Sequence, residues 1–220
     1  MAGNERGIQI TIKRAIDIVG SAVLLVLTLP VLVAAIILIR CTLGTPVLFC
    51  QERAGYLGRV FVLYKLRTMT EDRDIYGVFL PADRRLTMLG RWLRRSSVDE
   101  LPQLWNVLKG DMSLIGPRPL LACYLQRYNS SQRRRHEVRP GITGWAQISG
   151  RNSLTWEDKF NLDVLYVHHW SLLLDLKIAV RTIRTVFRAE GTAETGSPAE
   201  FEFTGSPELE ADRPIYRSRA

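Results

Sequence analysis

Cysteine and histidine are scarce in this 220-residue sequence, with three residues of each. The cysteines are odd in number, widely spaced and without a C-x-x-C pair, which argues against a disulfide framework or a zinc site and for a reducing, cytosol-facing domain. The histidines show no metal-ligand spacing. Neither a Walker A sequence nor a G-x-G-x-x-G loop occurs, so an ordinary nucleotide-binding fold is disfavoured.

Charge is also absent from Ile18 to Ile39, a run of 22 residues. As a helix this run would be about 33 Å long, against a bilayer hydrocarbon core of about 30 Å. A single-pass anchor is the plain interpretation. Pro30 favours another, because a proline inside a helix kinks or breaks it. Basic residues flank the run on both sides, so the positive-inside rule selects no orientation, and a re-entrant helix with both ends on one face also fits. Asp17 at the entry is expected at headgroup depth or paired.

The chain carries a net charge of +8 and has a pI of about 9.7. From Ala189 onward there are seven acidic and three basic residues, a net charge of −4, which leaves +12 on residues 1–188. This excess predicts an anionic partner: nucleic acid, acidic lipid or a phosphorylated substrate. The basic residues alternate with aliphatic ones and no nucleic-acid-binding motif occurs, which disfavours the first. The polar, acidic residues 189–220 predict a flexible tail that is disordered or becomes ordered only on docking.

Two segments predict basic amphipathic helices at a membrane interface. Residues 84–95 place three leucines and Trp92 on one face, with arginines on much of the remainder. In residues 172–188, four basic residues recur at helical spacing, namely Lys177, Arg181, Arg184 and Arg188. A helix that packs on the core with a solvated basic face is the alternative in each case, whereas four like charges favour anionic lipid headgroups.

The remaining pattern predicts a small β component. Residues 46–69 alternate in polarity on both sides of Gly55–Gly58, as a β-hairpin does. The predicted fold class is therefore mainly α with a small β-hairpin (α+β).

Asp99 and Glu100 stand at the start of an apolar stretch, Leu101-Pro102-Gln103-Leu104-Trp105. Ser97 and Glu100 match a capping box, and acidic residues are common in first helical turns, so a purely structural role is open. Pro102 is comfortable only in a first turn, which makes Asp99 a candidate N-cap.

The chemistry that the pair offers is specific. Adjacent residues on a helix diverge by about 100°, so the two carboxylates cannot share one task symmetrically. One carboxylate can attack phosphorus while the other binds a metal ion or manages protons. Lys65, Arg94 and Arg118 are candidates to neutralise phosphate oxygens, and the prolines beside Arg118 make its setting stiff.

Several motifs in fixed order, from about Lys13 to about Arg188, resemble the monotopic phosphoglycosyl transferase family. They are Lys13–Asp17 before the apolar run, Tyr64–Met69, Ser96–Ser113 with the acidic pair, Gly116–Pro119, Arg139–Gln147, Gly150–Asn152 and Asp175–Lys177. Ile148 and Ser149 depart from the usual Val-Asn and leave the charged motifs intact. The chain is most similar to the small single-domain branch, including the initiating transferase of bacterial protein N-glycosylation.

The resemblance implies transfer of a sugar-1-phosphate from a UDP-sugar to polyprenyl (undecaprenyl) phosphate, with release of UMP. Asp99 would be the nucleophile, through a phosphosugar-aspartyl intermediate, and Glu100 would assist with Mg²⁺ or proton transfer. Both carboxylates are the expected Mg²⁺ ligands. Arg94 and Arg118 would hold phosphate, and Arg151 is a candidate for the nucleotide. Trp145 is equally suited to the core or to a uracil platform.

The expected layout has three parts: a re-entrant membrane helix over residues 1–40, broken near Pro30; a cytosolic catalytic domain with interfacial helices over 41–188; and the tail 189–220. The resemblance places the enzyme on the cytoplasmic face of the bacterial inner membrane, against an anionic bilayer, at the first membrane step of glycoconjugate assembly. A non-catalytic membrane-tethered scaffold is the alternative. The sequence leaves the sugar, the pathway and homodimer formation open.

Overall fold

The computed structural model describes residues 2–150, 154–187 and 202–205. The chain is mostly helical, with two small sheets. The helices are α1 (Ala2–Thr42), α2 (Ala82–Arg85), α3 (Met88–Arg95), α4 (Gln103–Lys109), α5 (Ser130–Arg133), α6 (Trp145–Ser149), α7 (Trp156–His169) and α8 (Leu172–Phe187). The strands are β1 (Leu48–Ala54), β2 (Val60–Leu66), β3 (Ser113–Ile115) and β4 (Gly141–Thr143). This composition confirms the predicted mainly α class.

The predicted hairpin is confirmed as β1 and β2, which pair antiparallel around a 3₁₀ turn at Tyr56–Gly58. Phe49 lies opposite Lys65 and Arg53 lies opposite Phe61. Because side chains alternate between the faces of a strand, Phe49, Gln51 and Arg53 share one face with Lys65. That face borders the candidate site.

A second, parallel sheet of β3 and β4 was not expected from the sequence. Its strands meet at two glycines: a Cβ on Gly141 would lie 2.1 Å from the amide nitrogen of Gly116. No side chain fits in that space, so glycine permits the close approach of the two backbones. The sheet fixes the start of the Gly116–Pro119 segment, which carries Arg118.

Helix α1 continues through Pro30 without an interruption. Pro30 has no amide hydrogen with which to bond to Val26, and the bend predicted there stays a prediction. Within the described residues, Gly7–Thr42 is long and apolar enough to cross a membrane, and only 17% of its most apolar window is buried. Val26 and Leu27, near the middle, are 71% and 69% exposed.

The apolar run of α1 is attached to the rest of the chain on both sides. Just before its start, Asp17 is buried and its Oδ1 accepts hydrogen bonds from the Ser113 hydroxyl (3.0 Å) and the Leu114 amide (2.9 Å). This confirms the expectation that Asp17 is paired. Near the C-terminal end, buried Leu32, Ala35 and Ile39 form a core cluster whose other members are Leu66 and Leu93.

The predicted helix over residues 84–95 is two helices, α2 and α3, because the chain turns at Leu86 and Thr87. Thr87 is extended and its side chain accepts a hydrogen bond from the Gly90 amide, so it caps a new helix. Leu93 is buried, whereas Trp92 and Met88 are exposed. The helix thus packs through one narrow stripe and presents a tryptophan outward.

Helix α8 is latched to α1 by a buried carboxylate. Asp175 accepts from Lys13 Nζ (2.7 Å), from the Tyr166 hydroxyl (2.7 Å) and from Trp170 Nε1 (3.1 Å). The stripe residues Lys177, Arg181 and Arg184 are exposed, as predicted, while Arg188 lies outside the described residues. Leu173, Leu176, Val180 and Ile183 on the same helix are exposed as well.

Residues 202–205 of the predicted tail are described, and they lie against the domain through Phe203, as the docked alternative for the tail expects. Phe203 is 5% exposed, and its ring lies 4.9–5.7 Å from the ring centroids of Tyr124, Tyr128, Trp156 and Phe160. Arg127 Nη1 donates to Glu202 Oε1 (2.7 Å). An aromatic side chain gains enough from such a pocket to hold a polar segment in place. The remaining tail residues lie outside the described ones.

Candidate active site

The carboxylate pair lies on a 3₁₀ turn, Val98–Glu100, between α3 and α4. Ser97 enters it with φ 57° and ψ 16°, a left-handed conformation that is uncommon for a residue with a side chain and that clusters at functional sites. The Ser97 side chain makes no capping hydrogen bond, and Pro102 is the residue that caps α4. The capping box and the Asp99 N-cap are therefore both excluded.

Glu100 forms the electrostatic centre of the site. Its Oε1 accepts from Lys65 Nζ (2.7 Å) and from Arg118 Nη2 (2.8 Å). These two cations hold the pKa of the Glu100 carboxyl well below its usual range, despite burial that acts in the opposite direction. Glu100 is thus a fixed anion that orients two of the predicted phosphate-binding residues.

Asp99 is in the opposite electrostatic situation. Its side chain is buried, at 7% exposure, and its pKa is raised to about 6, first by burial and then by the charge of Glu100. Lys65, Arg94 and Arg118 act against this rise. An acid with a raised pKa is ionised at neutral pH but is a stronger nucleophile than an ordinary carboxylate.

Arg94 approaches from α3 and is held by Thr68, whose buried hydroxyl accepts from Arg94 Nε at 3.1 Å. Among the described residues the terminal nitrogens of Arg94 have no hydrogen-bond partner, and the residue is exposed within the cleft. Its positive charge favours ionised Asp99. A guanidinium so placed can receive the oxygens of a phosphate.

Arg118 is supported from behind by a buried ion pair. Arg135 Nη2 donates to the Arg118 carbonyl (2.7 Å) and to Asp163 Oδ2 (2.7 Å), and the Arg135 and Asp163 side chains are 2% and 4% exposed. Charges buried this deeply require hydrogen-bonded partners. The pair ties α7 to the backbone at Arg118, which fixes the position of the arginine.

These residues line one cleft with a volume of about 2180 Å³. Its polar part contains Lys65, Arg94, Asp99, Glu100 and Arg118. Its apolar part is contributed by three helices, through Leu24 of α1, Met88 and Trp92 of α3, and Leu176 and Ile183 of α8. The cleft therefore joins a charged centre to the exposed apolar faces of the molecule.

Among the other cations that line the cleft, Arg53 and Lys159 were missed as site residues. Arg53 is on the same face of the hairpin as Lys65, and the alternation of β1 could have revealed this. Lys159 lies one helical turn before Asp163 on α7, and only the tertiary fold brings it to the cleft. Gln147, of the Arg139–Gln147 motif, also lines the cleft.

Arg151 lies outside the described residues, so its predicted role stays a prediction. Trp145 is half-buried at the start of α6. The structure places the remaining predicted site residues in one cleft: the carboxylates Asp99 and Glu100 and the cations Lys65, Arg94 and Arg118.

The two carboxylates of the site suit a magnesium ion whose other ligands come from substrate phosphates and water. Among the described residues no three His, Cys, Asp or Glu side chains cluster as a metal cage. Mg²⁺ commonly binds one or two carboxylates and completes its shell with substrate phosphates and water. Asp99 and Glu100 supply two adjacent carboxylates, and both hydrogen bonds to Glu100 from its cations fall on Oε1.

The family model described as "Bacterial sugar transferase" matches residues 8–189. Uncharacterized sugar transferase EpsL of Bacillus subtilis (strain 168) is 52% identical over 198 residues, which cover 90% of this chain and 98% of the relative. The UDP-glucose:undecaprenyl-phosphate glucose-1-phosphate transferase of Caulobacter vibrioides is 39% identical over 188 residues, 81% of this chain and 70% of the relative. The undecaprenyl-phosphate glucose phosphotransferase of Komagataeibacter xylinus is 43% identical over 190 residues.

This chain belongs to the bacterial sugar transferase family, which confirms the predicted family. The relatives also confirm the predicted enzyme class, a phosphoglycosyl transferase. The match covers 78% of this chain but 35% of the Komagataeibacter xylinus relative. The chain thus spans about a third of that protein, nearly all of EpsL and about two thirds of the Caulobacter vibrioides relative.

Proposed function

We propose that this protein transfers a sugar-1-phosphate from a UDP-sugar to undecaprenyl phosphate and releases UMP. The observation that carries the proposal is the asymmetric pair, in which Glu100 is neutralised by two cations and buried Asp99 has a raised pKa. The names of the Caulobacter vibrioides and Komagataeibacter xylinus relatives support the donor and acceptor classes.

In the first step, an Asp99 carboxylate oxygen attacks the β-phosphorus of the UDP-sugar. The bond from this phosphorus to the oxygen that bridges the two phosphates breaks, and UMP leaves with the electron pair. The product on the protein is a phosphosugar ester of Asp99. Lys65, Arg94 and Arg118 stabilise the charge on the phosphate oxygens as it is redistributed.

In the second step, a phosphate oxygen of undecaprenyl phosphate attacks the same phosphorus. The bond from phosphorus to Asp99 breaks and the carboxylate is regenerated, which yields undecaprenyl-diphosphate sugar. Dividing the transfer in two lets one phosphate site serve both substrates in turn. The apolar part of the cleft, at Met88, Trp92 and Ile183, suits the first isoprene units of the acceptor.

Asp99 and Glu100 would hold Mg²⁺ together with the diphosphate. When bound, Mg²⁺ neutralises charge that develops on the phosphate oxygens. Glu100 also keeps Lys65 and Arg118 in place, so it has a role in positioning that does not depend on the metal ion.

The membrane topology that we propose is re-entrant, with both ends of α1 on the cytoplasmic face. A straight spanning helix would place Asp17 and Ile39 about 33 Å apart, on opposite sides of a bilayer. Instead both residues pack against the same domain, Asp17 on β3 and Ile39 beside Leu66 and Leu93. The exposed apolar residues of α1, α3 and α8 would then face lipid, and the basic residues of α8 its anionic headgroups.

The central experiment is UMP release by purified protein with undecaprenyl phosphate, Mg²⁺ and a panel of UDP-sugars. We expect release with at least one donor, lost on addition of EDTA and in Asp99→Asn. Arg59→Gln, an exposed change at the hairpin turn, is the matched control and should leave the rate unchanged. A wild-type rate equal to that of Asp99→Asn would instead support the non-catalytic scaffold.

A further inference from the structure

Arg53 is held beside Arg118 by backbone pairing. The end of β1 pairs with the segment that follows Arg118, since Arg53 forms an antiparallel bridge with Leu121 and the Ala54 amide donates to the Leu120 carbonyl (2.9 Å). The Arg53 guanidinium donates to the Pro119 carbonyl (3.3 Å) and to Gln51 Oε1 (2.5 Å). These contacts hold the Arg53 guanidinium near that of Arg118.

The Arg53 guanidinium is not fully satisfied. Its Nε is buried and has no hydrogen-bond partner among the described residues. Burial lowers the pKa of Arg53, and the charge of Arg118 lowers it further. A buried cation beside another cation is unfavourable unless an anion is placed between them.

Lys159 of α7 lines the same cleft as Arg53 and Arg118. It lies one helical turn before Asp163, whose partner Arg135 bonds to the Arg118 carbonyl. Burial and Arg118 together lower the pKa of Lys159. Its Nζ lies 5.0 Å from the centroid of the Trp156 ring, and both residues line the cleft.

The charges of the cleft do not cancel. Eleven basic side chains line it, among them Arg53, Arg118 and Lys159, against seven carboxylates. Glu100 balances Lys65 and Arg118 only in part, and Asp163 is taken by Arg135. The cleft thus has an excess of four positive charges, which bound phosphate groups would offset.

We propose that Arg53, Arg118 and Lys159 form a second phosphate subsite, which binds the phosphate that leaves as a nucleoside monophosphate. This proposal rests on the proposed function. The leaving phosphate gains one negative charge when the bond to the β-phosphorus breaks, so cations placed there act most strongly in the transition state. Arg118 would be shared between this subsite and the one formed by Lys65 and Arg94.

The surroundings favour the nucleotide over the lipid acceptor as the occupant. Arg94 lies on α3, whose Met88 and Trp92 form part of the apolar side of the cleft. Arg53 and Lys159 lie instead beside Gln51 and Trp156, a polar group and an aromatic ring. Such neighbours suit a nucleotide, and the apolar side suits a polyprenyl chain.

The test is equilibrium binding of UMP, uridine and inorganic phosphate to the purified full chain, without a sugar donor. Arg53→Gln and Lys159→Gln should each weaken binding of UMP and phosphate about tenfold, the size of one charge-assisted hydrogen bond. Binding of uridine, which has no phosphate, should stay unchanged. Arg59→Gln is the control on the same hairpin, and a thermal unfolding midpoint checks that each variant is folded.

Three results would separate the alternatives. UMP binding that is unchanged in both variants would overturn the subsite, whether or not transfer occurs. A raised KM for undecaprenyl phosphate with unchanged UMP binding would assign the cations to the lipid phosphate and overturn the nucleotide assignment. Weaker UMP binding in the variants, with no UMP release from any donor by the wild type, would keep the subsite and reject the proposed function.

Discussion

Asp99 and Glu100 are consecutive in the chain, yet their carboxyl groups have opposite electrostatic environments. The pKa of Asp99 is raised to about 6, whereas two cations at 2.7 and 2.8 Å hold that of Glu100 well below its usual range. The 3₁₀ turn produces this difference because it directs one side chain inward and the other towards Lys65 and Arg118. Environments that separate two adjacent pKa values assign different roles to the two groups.

The raised pKa of Asp99 predicts the pH dependence of transfer. Since only the carboxylate attacks phosphorus, kcat/KM should fall about tenfold per pH unit below an apparent pKa near 6. An ordinary aspartate would place this limb near pH 4. The measurement is initial UMP release between pH 4.5 and 8.5. An acid limb that stays flat down to pH 5 would contradict the account.

The same shift predicts that the wild type is less stable than Asp99→Asn at alkaline pH. A group whose pKa is raised in the folded state stabilises below its unfolded pKa and loses this contribution as the pH rises through the folded value. The rise of the Asp99 pKa from 3.8 to about 6 corresponds to a loss of about 3 kcal/mol in the free energy of unfolding. Thermal unfolding in detergent without Mg²⁺ should therefore favour Asp99→Asn at pH 8 and show no such advantage at pH 3.5. Equal unfolding midpoints of the wild type and Asp99→Asn at pH 8 would show that the ionised Asp99 carboxylate does not destabilise the fold.

The buried pair of Arg135 and Asp163 predicts that a double variant can regain stability without regaining activity. Arg135→Gln leaves Asp163 buried without its cation, at a cost of about 3–5 kcal/mol. Arg135→Met with Asp163→Leu removes both charges and should recover most of the unfolding free energy. UMP release should remain low in the double variant, because the Arg118 carbonyl has lost its donor. Full recovery of activity would mean that the pair does not position Arg118.

Docking of the C-terminal segment predicts a local effect. Phe203→Ala empties the aromatic pocket, and a buried phenylalanine is worth about 3 kcal/mol or more. The Phe203 amide, which donates to the Tyr124 hydroxyl, should then exchange its hydrogen about 100-fold faster. Hydrogen exchange with mass spectrometry measures this, with the exposed change Glu202→Gln as the milder comparison. Equal exchange in Phe203→Ala and the wild type would show that the ring does not hold the segment.

The re-entrant topology predicts that both chain ends share one side of the membrane. Tags at the N-terminus and after Arg188 should both be protected in right-side-out vesicles and both accessible in inverted ones. Opposite accessibility of the two tags would establish a spanning α1. The attachment of Asp17 and Ile39 to one domain makes the first result the expected one.

Local features of this fold could be predicted from the sequence. The alternation of residues 46–69 predicted the hairpin, and the apolar run predicted the long helix, since both patterns depend on neighbouring residues. The carboxylate pair could be identified as a candidate site, with Lys65, Arg94 and Arg118 as candidates to neutralise phosphate oxygens. Its local geometry could not, because the left-handed Ser97 depends on how α3 and α4 pack.

Features that depend on distant residues were missed. The parallel pair of β3 and β4 joins strands of three residues each, too short for a periodic signal. Phe203 is one of three aromatic residues in a polar tail, and only the fold reveals the four rings around it. Lys159 reaches the cleft because α7 packs behind Arg118.

The most direct test of the account is to incubate the protein with its UDP-sugar and Mg²⁺ in the absence of undecaprenyl phosphate, and to analyse the acid-quenched protein by peptide mass spectrometry. We expect the mass of one phosphosugar on the peptide that contains Asp99, its disappearance on addition of undecaprenyl phosphate, and no label in Asp99→Asn. UMP release that requires the acceptor from the first turnover, with an unmodified Asp99 peptide, would contradict the two-step mechanism.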